Sequence, residues 1–322
     1  MGRSPGAVTA PLTAIYILLK LERLGNQKAI EFFSHSGERE RHEELRGAPE
    51  YLIIFTSKDI IMGLEPSVQV KSKLFPNEKF EGSVIKILCK YLNKLTASLG
   101  LSGIYGGRWV KKIYLVKVDY HDFERCYPIT NTFLYACRSH ECWINSQAGT
   151  NQINTALVIA GSINLASIKY YYVRQTEVEL LDLNVLEPRV LKAPEEYVDR
   201  LPDVWGELQL FGLGLGDLLR RLDQTFQSRE IINISELEEI LQECNLDKSF
   251  MSKLKPFIEF RNNSVKKTER LDKLFQTYSG KWPSIDDASK LWKKASREGI
   301  LYEIDIQTCK VGKVEPCEKS EE

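Results

Sequence analysis

Histidine is scarce in this sequence. The 322 residues include four histidines, all in the first half of the chain, and none follows His140. His35, His42, His121 and His140 form no pair at metal-ligand spacing, and none lies beside an obvious nucleophile. Each is predicted to be an ordinary surface or core histidine, and neither a metal nor a cofactor is expected.

Paired cysteines are also lacking. The seven cysteines include no C-x-x-C pair and their number is odd, which argues against a zinc ribbon or a disulfide scaffold. We predict buried or idle thiols in a reducing cytosol, and therefore a cytoplasmic protein. No signal peptide is recognisable, and the apolar run at residues 15–19 is too short to span a membrane. The cysteines are Cys89, Cys126, Cys137, Cys142, Cys244, Cys309 and Cys317.

The sequence has no excess of charge of either sign. Its 44 lysines and arginines balance 44 aspartates and glutamates. Such a balance excludes a protein that coats nucleic acid through its overall charge, so any nucleic-acid site must be a local patch. The length suggests two domains and is ample for a sizeable core.

One stretch with a strong local pattern is residues 141–161. It predicts a short strand, a turn at residues 148–149 and a helix capped by Thr150 or Asn151. A strand, loop and helix in this order present free backbone amides and the positive end of the helix dipole at the carboxyl end of the strand. That edge of an α/β sheet binds phosphates and other anions, although an ordinary strand-to-helix turn has the same pattern.

Residues 3–9 have the same physical character and lead into an apolar helix. Pro5 suits a first helical turn, and Gly6 allows close approach to the backbone. Ser4 and Thr9 offer hydroxyls, which would cap the helix or contact a ligand. The two loops would build one site for an anionic ligand if their strands are neighbours.

Together, residues 4–9 and 149–154 resemble the paired loops of the CARF domain, the CRISPR-associated Rossmann-like fold. The resemblance covers residues 1–175. It implies a homodimer that binds a cyclic oligoadenylate, here the tetra-adenylate, across its two-fold axis. No histidine follows His140, so the HEPN nuclease of many CARF effectors is excluded. The resemblance then implies a ring nuclease that switches off type III CRISPR signalling.

The implied reaction is metal-independent. A ribose 2′-hydroxyl attacks the adjacent phosphate and leaves a 2′,3′-cyclic phosphate, while the protein positions the ring and stabilises the phosphorane charge. Ser4, Asn151 and Arg108 are the expected catalytic residues, although many CARF proteins carry lysine where this chain has Asn151. The expected ligand-binding residues are Arg3, Ser4, Pro5, Gly6, Thr9, Gly149, Thr150, Asn151 and Gln152.

The predicted organisation is a Rossmann-like, mostly parallel α/β sheet over residues 1–176, followed by a linker or arm over residues 177–204. A mainly helical domain, ending in a winged-helix-like hairpin, is expected over residues 205–314, and a disordered tail over residues 315–322. Residues 29–34 are predicted as a strand. CARF domains have a strand before the first loop, so further residues upstream of Met1 are expected to form it.

The alternative is a transcription regulator that senses the messenger without cleaving it and binds DNA through a winged helix. Its expected DNA contacts are the basic face Lys290, Lys293, Lys294 and Arg297. Such a run is more often a solvated helix face. The C-terminal helices would, in a third interpretation, only extend the dimer interface or cover the ligand.

Overall fold

The structure is a computed structural model. It describes residues 1–34, 49–100, 110–138, 140–145, 149–165, 168–173, 179–201, 205–208, 215–279 and 288–314. The helices are α1 (Gly6–Arg23), α2 (Gln27–Ser34), α3 (Lys58–Met62), α4 (Val84–Ser98), α5 (Phe123–Ala136), α6 (Asn151–Asn164), α7 (Gly216–Ser228), α8 (Ile234–Glu243), α9 (Met251–Leu254), α10 (Glu269–Ser279) and α11 (Ala288–Arg297). The strands are β1 (Tyr51–Thr56), β2 (Val68–Val70), β3 (Phe80–Gly82), β4 (Lys112–Lys117), β5 (Cys142–Asn145), β6 (Ile168–Val173), β7 (Trp205–Leu208), β8 (Ile231–Asn233), β9 (Ile258–Arg261), β10 (Ser264–Lys267), β11 (Leu301–Asp305) and β12 (Lys310–Lys313).

Parallel strands between helices give the chain its α/β character, as the sequence predicted. β1 and β4 are parallel neighbours, and β5 and β6 form a second parallel pair. Antiparallel strands extend both pairs, in the orders β1-β4-β11-β12 and β5-β6-β7. Both sheets are therefore mixed. Each contains one parallel pair, β1 with β4 or β5 with β6.

Buried apolar clusters cover both faces of these strands. On β4, Ile113 and Leu115 belong to a cluster with α1 and α4, whereas Tyr114 and Val116 belong to a second cluster with α5, α6 and α11. The second cluster also takes in Tyr170 of β6. Successive side chains on a strand point to opposite faces, so a strand covered on both faces reads as a continuous apolar run.

The strand predicted at residues 29–34 is wrong, because this segment forms α2. Ala29 and Phe33 are fully buried, and Glu31 between them is exposed. Burial at positions i and i+4 is the helical period, and a six-residue apolar segment does not distinguish the two structures by itself.

The segment predicted as a linker or arm packs as an arm against α1 and β2. Leu181 is fully buried; its amide donates to the carbonyl oxygen of Lys71 over 2.9 Å. Asp182 is also buried; it accepts hydrogen bonds from Ser72 Oγ, the Lys73 amide, the Leu74 amide and the Tyr91 hydroxyl at 2.6–3.3 Å. Burial raises the pKa of this carboxyl, and the hydrogen bonds oppose the shift.

The C-terminal hairpin was predicted to end the helical domain of residues 205–314, but it lies in the sheet that contains β1 and β4. β11 pairs antiparallel with β4, and Leu301 and Ile304 are buried there. The preceding helix α11 packs on the same unit, with the Trp292 ring 4.9 Å from the ring of Phe133 and 5.6 Å from that of Tyr114. The apolar faces of α11 and β11 are thus buried against the α/β core. The hairpin is therefore not the wing of a winged helix formed with residues 215–279.

Residues 215–279 form a second unit around their own buried cluster. Their elements follow the order α7, β8, α8, α9, β9, β10 and α10, and the three strands form an antiparallel sheet in the order β8-β10-β9. The unit docks on α5, where the Tyr135 hydroxyl donates to Asp217 over 2.5 Å and accepts from Arg220 over 2.8 Å.

A disulfide joins Cys89 of α4 to Cys309 beside β12 across 220 residues of sequence. The expectation of free thiols throughout is therefore wrong for these two residues, because cysteines so far apart in sequence give no local signal of pairing.

None of the helices that the structure describes combines the length and the apolar character that crossing a membrane requires.

Candidate functional site

The two predicted loops meet at the carboxyl ends of the parallel strands. Asn145, the last residue of β5, donates its side-chain amide to the carbonyl oxygen of Ala7 in the first turn of α1 over 2.7 Å. On the other side, the Met1 amine donates to the carbonyl oxygen of Phe55 over 2.5 Å, and the Thr56 hydroxyl donates to that of Met1 over 2.7 Å. The start of α1 is therefore held between the ends of β1 and β5.

The second loop is fixed by its own side chains. Thr150 is the N-cap of α6, since its hydroxyl oxygen accepts from the Ile153 amide over 3.5 Å and its hydroxyl donates to the carbonyl oxygen of Tyr120 over 3.2 Å. The side-chain amide of Asn154 bonds both the amide and the carbonyl of Gly149, at 3.1 and 3.2 Å. These bonds hold the first turn of α6 in a defined orientation.

Both helix starts are without a neutralising acid. Neither α1 nor α6 has an acidic residue in its first turn. A helix N-terminus has a partial positive charge and amides without intrahelical partners, which favour an anion. At the start of α1, the Ala7 and Val8 amides already donate to the carbonyl oxygens of Ser4 and Pro5, so this helix contributes its dipole more than free amides. Asn151 is exposed at this edge, and Gly149, Thr150 and Gln152 are half-buried.

The first loop offers fewer ligand contacts than the sequence suggested. Pro5 and Gly6 are buried, and a Cβ added at Gly6 would lie 1.9 Å from the carbonyl oxygen of Leu180. The backbone that comes close to Gly6 is therefore that of the arm, at Leu180, and not that of a ligand. Thr9 is also fully buried; its hydroxyl donates to the carbonyl oxygen of Leu181. The predicted ligand contact of Thr9 is corrected to a structural bond, because its hydroxyl hydrogen is already used.

Two residues of the first loop remain accessible to a ligand. Arg3 is exposed and Ser4 is half-buried at the start of α1. They lie beside the β1 end, because the Met1 backbone is bonded to Phe55 and Thr56. A guanidinium and a hydroxyl therefore flank the helix starts, which suits a phosphodiester ligand.

Tyr120 and His121, which follow β4, also lie beside this site and were missed as site residues. Their rings are 3.8 Å apart, and His121 is exposed. The Thr150 hydroxyl bond to the Tyr120 backbone fixes them to the second loop. Their position directly after a buried parallel strand was the available signal, since ligands bind at the carboxyl ends of such strands.

Other predicted residues lie elsewhere. Arg108 and residues 146–148 lie outside the described residues. On α11, Lys290, Lys293 and Arg297 are exposed, and Lys294 pairs with Glu298 over 3.6 Å. The structure thus places Arg3 and Ser4 beside the end of β1, ties the loop of residues 149–152 to the segment that follows β4, and leaves the basic face of α11 solvent-exposed.

Comparison with known proteins gives one informative result. No protein-family model matches the chain. An uncharacterized protein of Archaeoglobus fulgidus is 33% identical to it over 320 residues, which cover 95% of this chain and 96% of the relative. The similarity therefore extends over nearly the whole chain. The chain belongs to the same family as this uncharacterized archaeal protein.

Proposed function

We propose that the protein binds a cyclic oligoadenylate, cyclic tetra-adenylate first, and cleaves it as a metal-independent ring nuclease. The observation that supports this most is the contact of Asn145 with Ala7 at 2.7 Å, which joins the strand that leads into α6 to the first turn of α1. Neither helix has an acidic residue in its first turn. Amides at the start of α6 would bind the bridging phosphates, and the paired rings of Tyr120 and His121 would stack an adenine. A homodimer would complete the ring site.

In the proposed reaction, a ribose 2′-hydroxyl attacks the adjacent phosphorus, and the 5′-oxygen leaves with a proton. The products are linear oligoadenylates ending in a 2′,3′-cyclic phosphate. Ser4 would orient the attacking hydroxyl or the phosphate, and the residues 149–152 loop would hold the ring. Arg3 would supply the charge that Asn151 lacks, since an amide donates a hydrogen bond but has no net charge.

We expect purified protein in EDTA to convert cyclic tetra-adenylate to these linear products. Ser4→Ala and Asn151→Ala should each reduce the rate about 10- to 1,000-fold, the range for losing one group that positions or stabilises a transition state. Chromatography with mass spectrometry measures the products. Thr155→Ala, an exposed change one turn into α6, should retain the parent rate.

Binding of an intact ring without cleavage would replace the nuclease by a sensor. Failure to bind any ring size, in a protein that is folded by circular dichroism, would refute the whole proposal.

The second candidate is a ligand-controlled transcription regulator. The order of helix, strand, two helices and two strands in residues 216–267, with its three-stranded antiparallel sheet, is the observation that favours it. In this arrangement a helix-turn-helix at α8 and α9 would carry the DNA contacts, with Lys253 and Lys255 exposed beside it.

For this candidate, the double variant Lys253→Glu with Lys255→Glu should weaken binding to promoter DNA more than tenfold in a mobility-shift assay, because two lysine contacts to phosphate are lost. Lys293→Glu with Lys294→Glu tests the basic face of α11 in the same assay. If both pairs bind as the parent does, neither surface contacts DNA and the regulator is excluded.

A further inference from the structure

A groove lies along the contact between α4 and the hairpin of β11 and β12, on the side of the molecule covered by the cluster that contains α1 and α4. It consists of two adjoining depressions of about 510 and 750 Å³ that share Lys86, Cys309 and Lys310 in their walls. We name it the lysine groove. Its lysines are Lys86, Lys90, Lys94, Lys310 and Lys313.

The charge of this groove is not neutralised by its own walls. Among the described residues that line it, none is aspartate or glutamate. Lys94 pairs with Glu78, whereas the other four lysines make no ion pair within the described ranges. The chain has a formal net charge of +0, so a groove with five lysines and no lining carboxylate is a local concentration of positive charge on a protein that is neutral overall.

The two walls are held at a fixed separation. The Cys89–Cys309 disulfide crosses between them, and Asn93 of α4 donates its side-chain amide to the carbonyl oxygen of Ile306 over 2.7 Å. The lysines therefore belong to a preorganised surface, so less conformational freedom is lost when a ligand binds.

The spacing of the lysines fits a ligand with repeated phosphates. Lys86, Lys90 and Lys94 follow one another by four residues on one face of α4, which places them about 6 Å apart and about 12 Å from first to last. An evenly spaced row of cations of this kind suits an anion whose charges repeat along its length, such as a phosphodiester backbone. Lys310 and Lys313, at the two ends of β12, also line the groove.

The groove is built for phosphates and not for bases. Lysine is a compact point charge, whereas readout of bases relies on arginine or amide forks and on stacking. Tyr302 is the aromatic residue in the described lining, and it is only 9% exposed. Lysines line both walls, so the phosphates of a single strand can contact both.

We propose that the lysine groove binds the phosphodiester backbone of single-stranded nucleic acid without sequence preference. This site is separate from the edge at α1 and α6 and does not depend on the function proposed there. Four to five phosphate contacts predict a slope of log affinity against log salt of about −3, at about 0.7 per contact.

The experiment measures fluorescence anisotropy of a fluorescein-labelled twelve-nucleotide oligouridylate between 50 and 200 mM NaCl. Lys86→Glu with Lys90→Glu, and separately Lys310→Glu with Lys313→Glu, should each weaken binding at least about tenfold and flatten the salt slope. These side chains are exposed, so thermal unfolding should stay unchanged. Arg270→Glu with Lys273→Glu on α10 makes the same charge change elsewhere and should bind as the parent does.

Three results would overturn the proposal. Unchanged affinity in both groove variants would remove the groove as the site. An equal loss in the α10 control would show a response to net charge only. Tighter binding of a duplex, or a strong preference among oligouridylate, oligoadenylate and mixed sequences, would contradict a single-strand backbone site.

Discussion

Removing the Cys89–Cys309 disulfide should lower the free energy of unfolding by up to about 5 kcal/mol. The bond closes a loop of 220 residues, and the chain-entropy model assigns a loop of this size about that stabilisation. Alanine suits Cys89, since this side chain is fully buried in the apolar cluster and serine would bury a hydroxyl there. Urea unfolding of Cys89→Ala with Cys309→Ala, against the oxidised parent, measures the loss.

The single variants provide the control for this prediction. Cys89→Ala and Cys309→Ala alone each break the same bond, so each should lose about as much as the double variant. Cys244→Ala changes a free, half-buried thiol and should shift stability much less. If the single losses add up in the double variant, they reflect packing and not the disulfide.

Replacing Gly6 by alanine should destabilise the protein by about 3 kcal/mol or more, because no flexible side chain can move out of the way. The added methyl group would meet the carbonyl oxygen of Leu180 at 1.9 Å and its carbonyl carbon at 3.0 Å. Relief requires the arm to move away from α1, which breaks the Thr9 bond to Leu181. Chemical denaturation measures the change.

Gly2→Ala is the matched control, since nothing lies within 4 Å of the added atom there. It should change stability by less than about 0.5 kcal/mol. The comparison also separates two interpretations of Gly6. A Gly6→Ala protein of normal stability that loses ligand binding would return this glycine to the ligand site, as the sequence first suggested.

Local patterns predicted the elements whose causes are local. The apolar runs on β1 and β4 are buried on both faces, and Thr150 has the oxygen and the position that an N-cap needs. These features depend on side chains within a few residues of one another. The α/β class and the start of α6 could therefore be predicted from the sequence.

Features set by distant partners could not be predicted in the same way. β11 pairs with β4, and Cys309 with Cys89, across most of the sequence. The role of Gly6 depends on Leu180, and the orientation of the two loops depends on Asn145 reaching Ala7. In each case the residue type permitted several partners, and tertiary packing selected one.

The return of α11, β11 and β12 to the first sheet makes residues 215–279 an insertion within the α/β unit. Its entrance is tied to that unit by the Leu215 amide, which donates to the carbonyl oxygen of Ile163 over 2.7 Å. A fragment that stops before residue 215 would lose β11 and leave the edge of β4 free to pair with another chain.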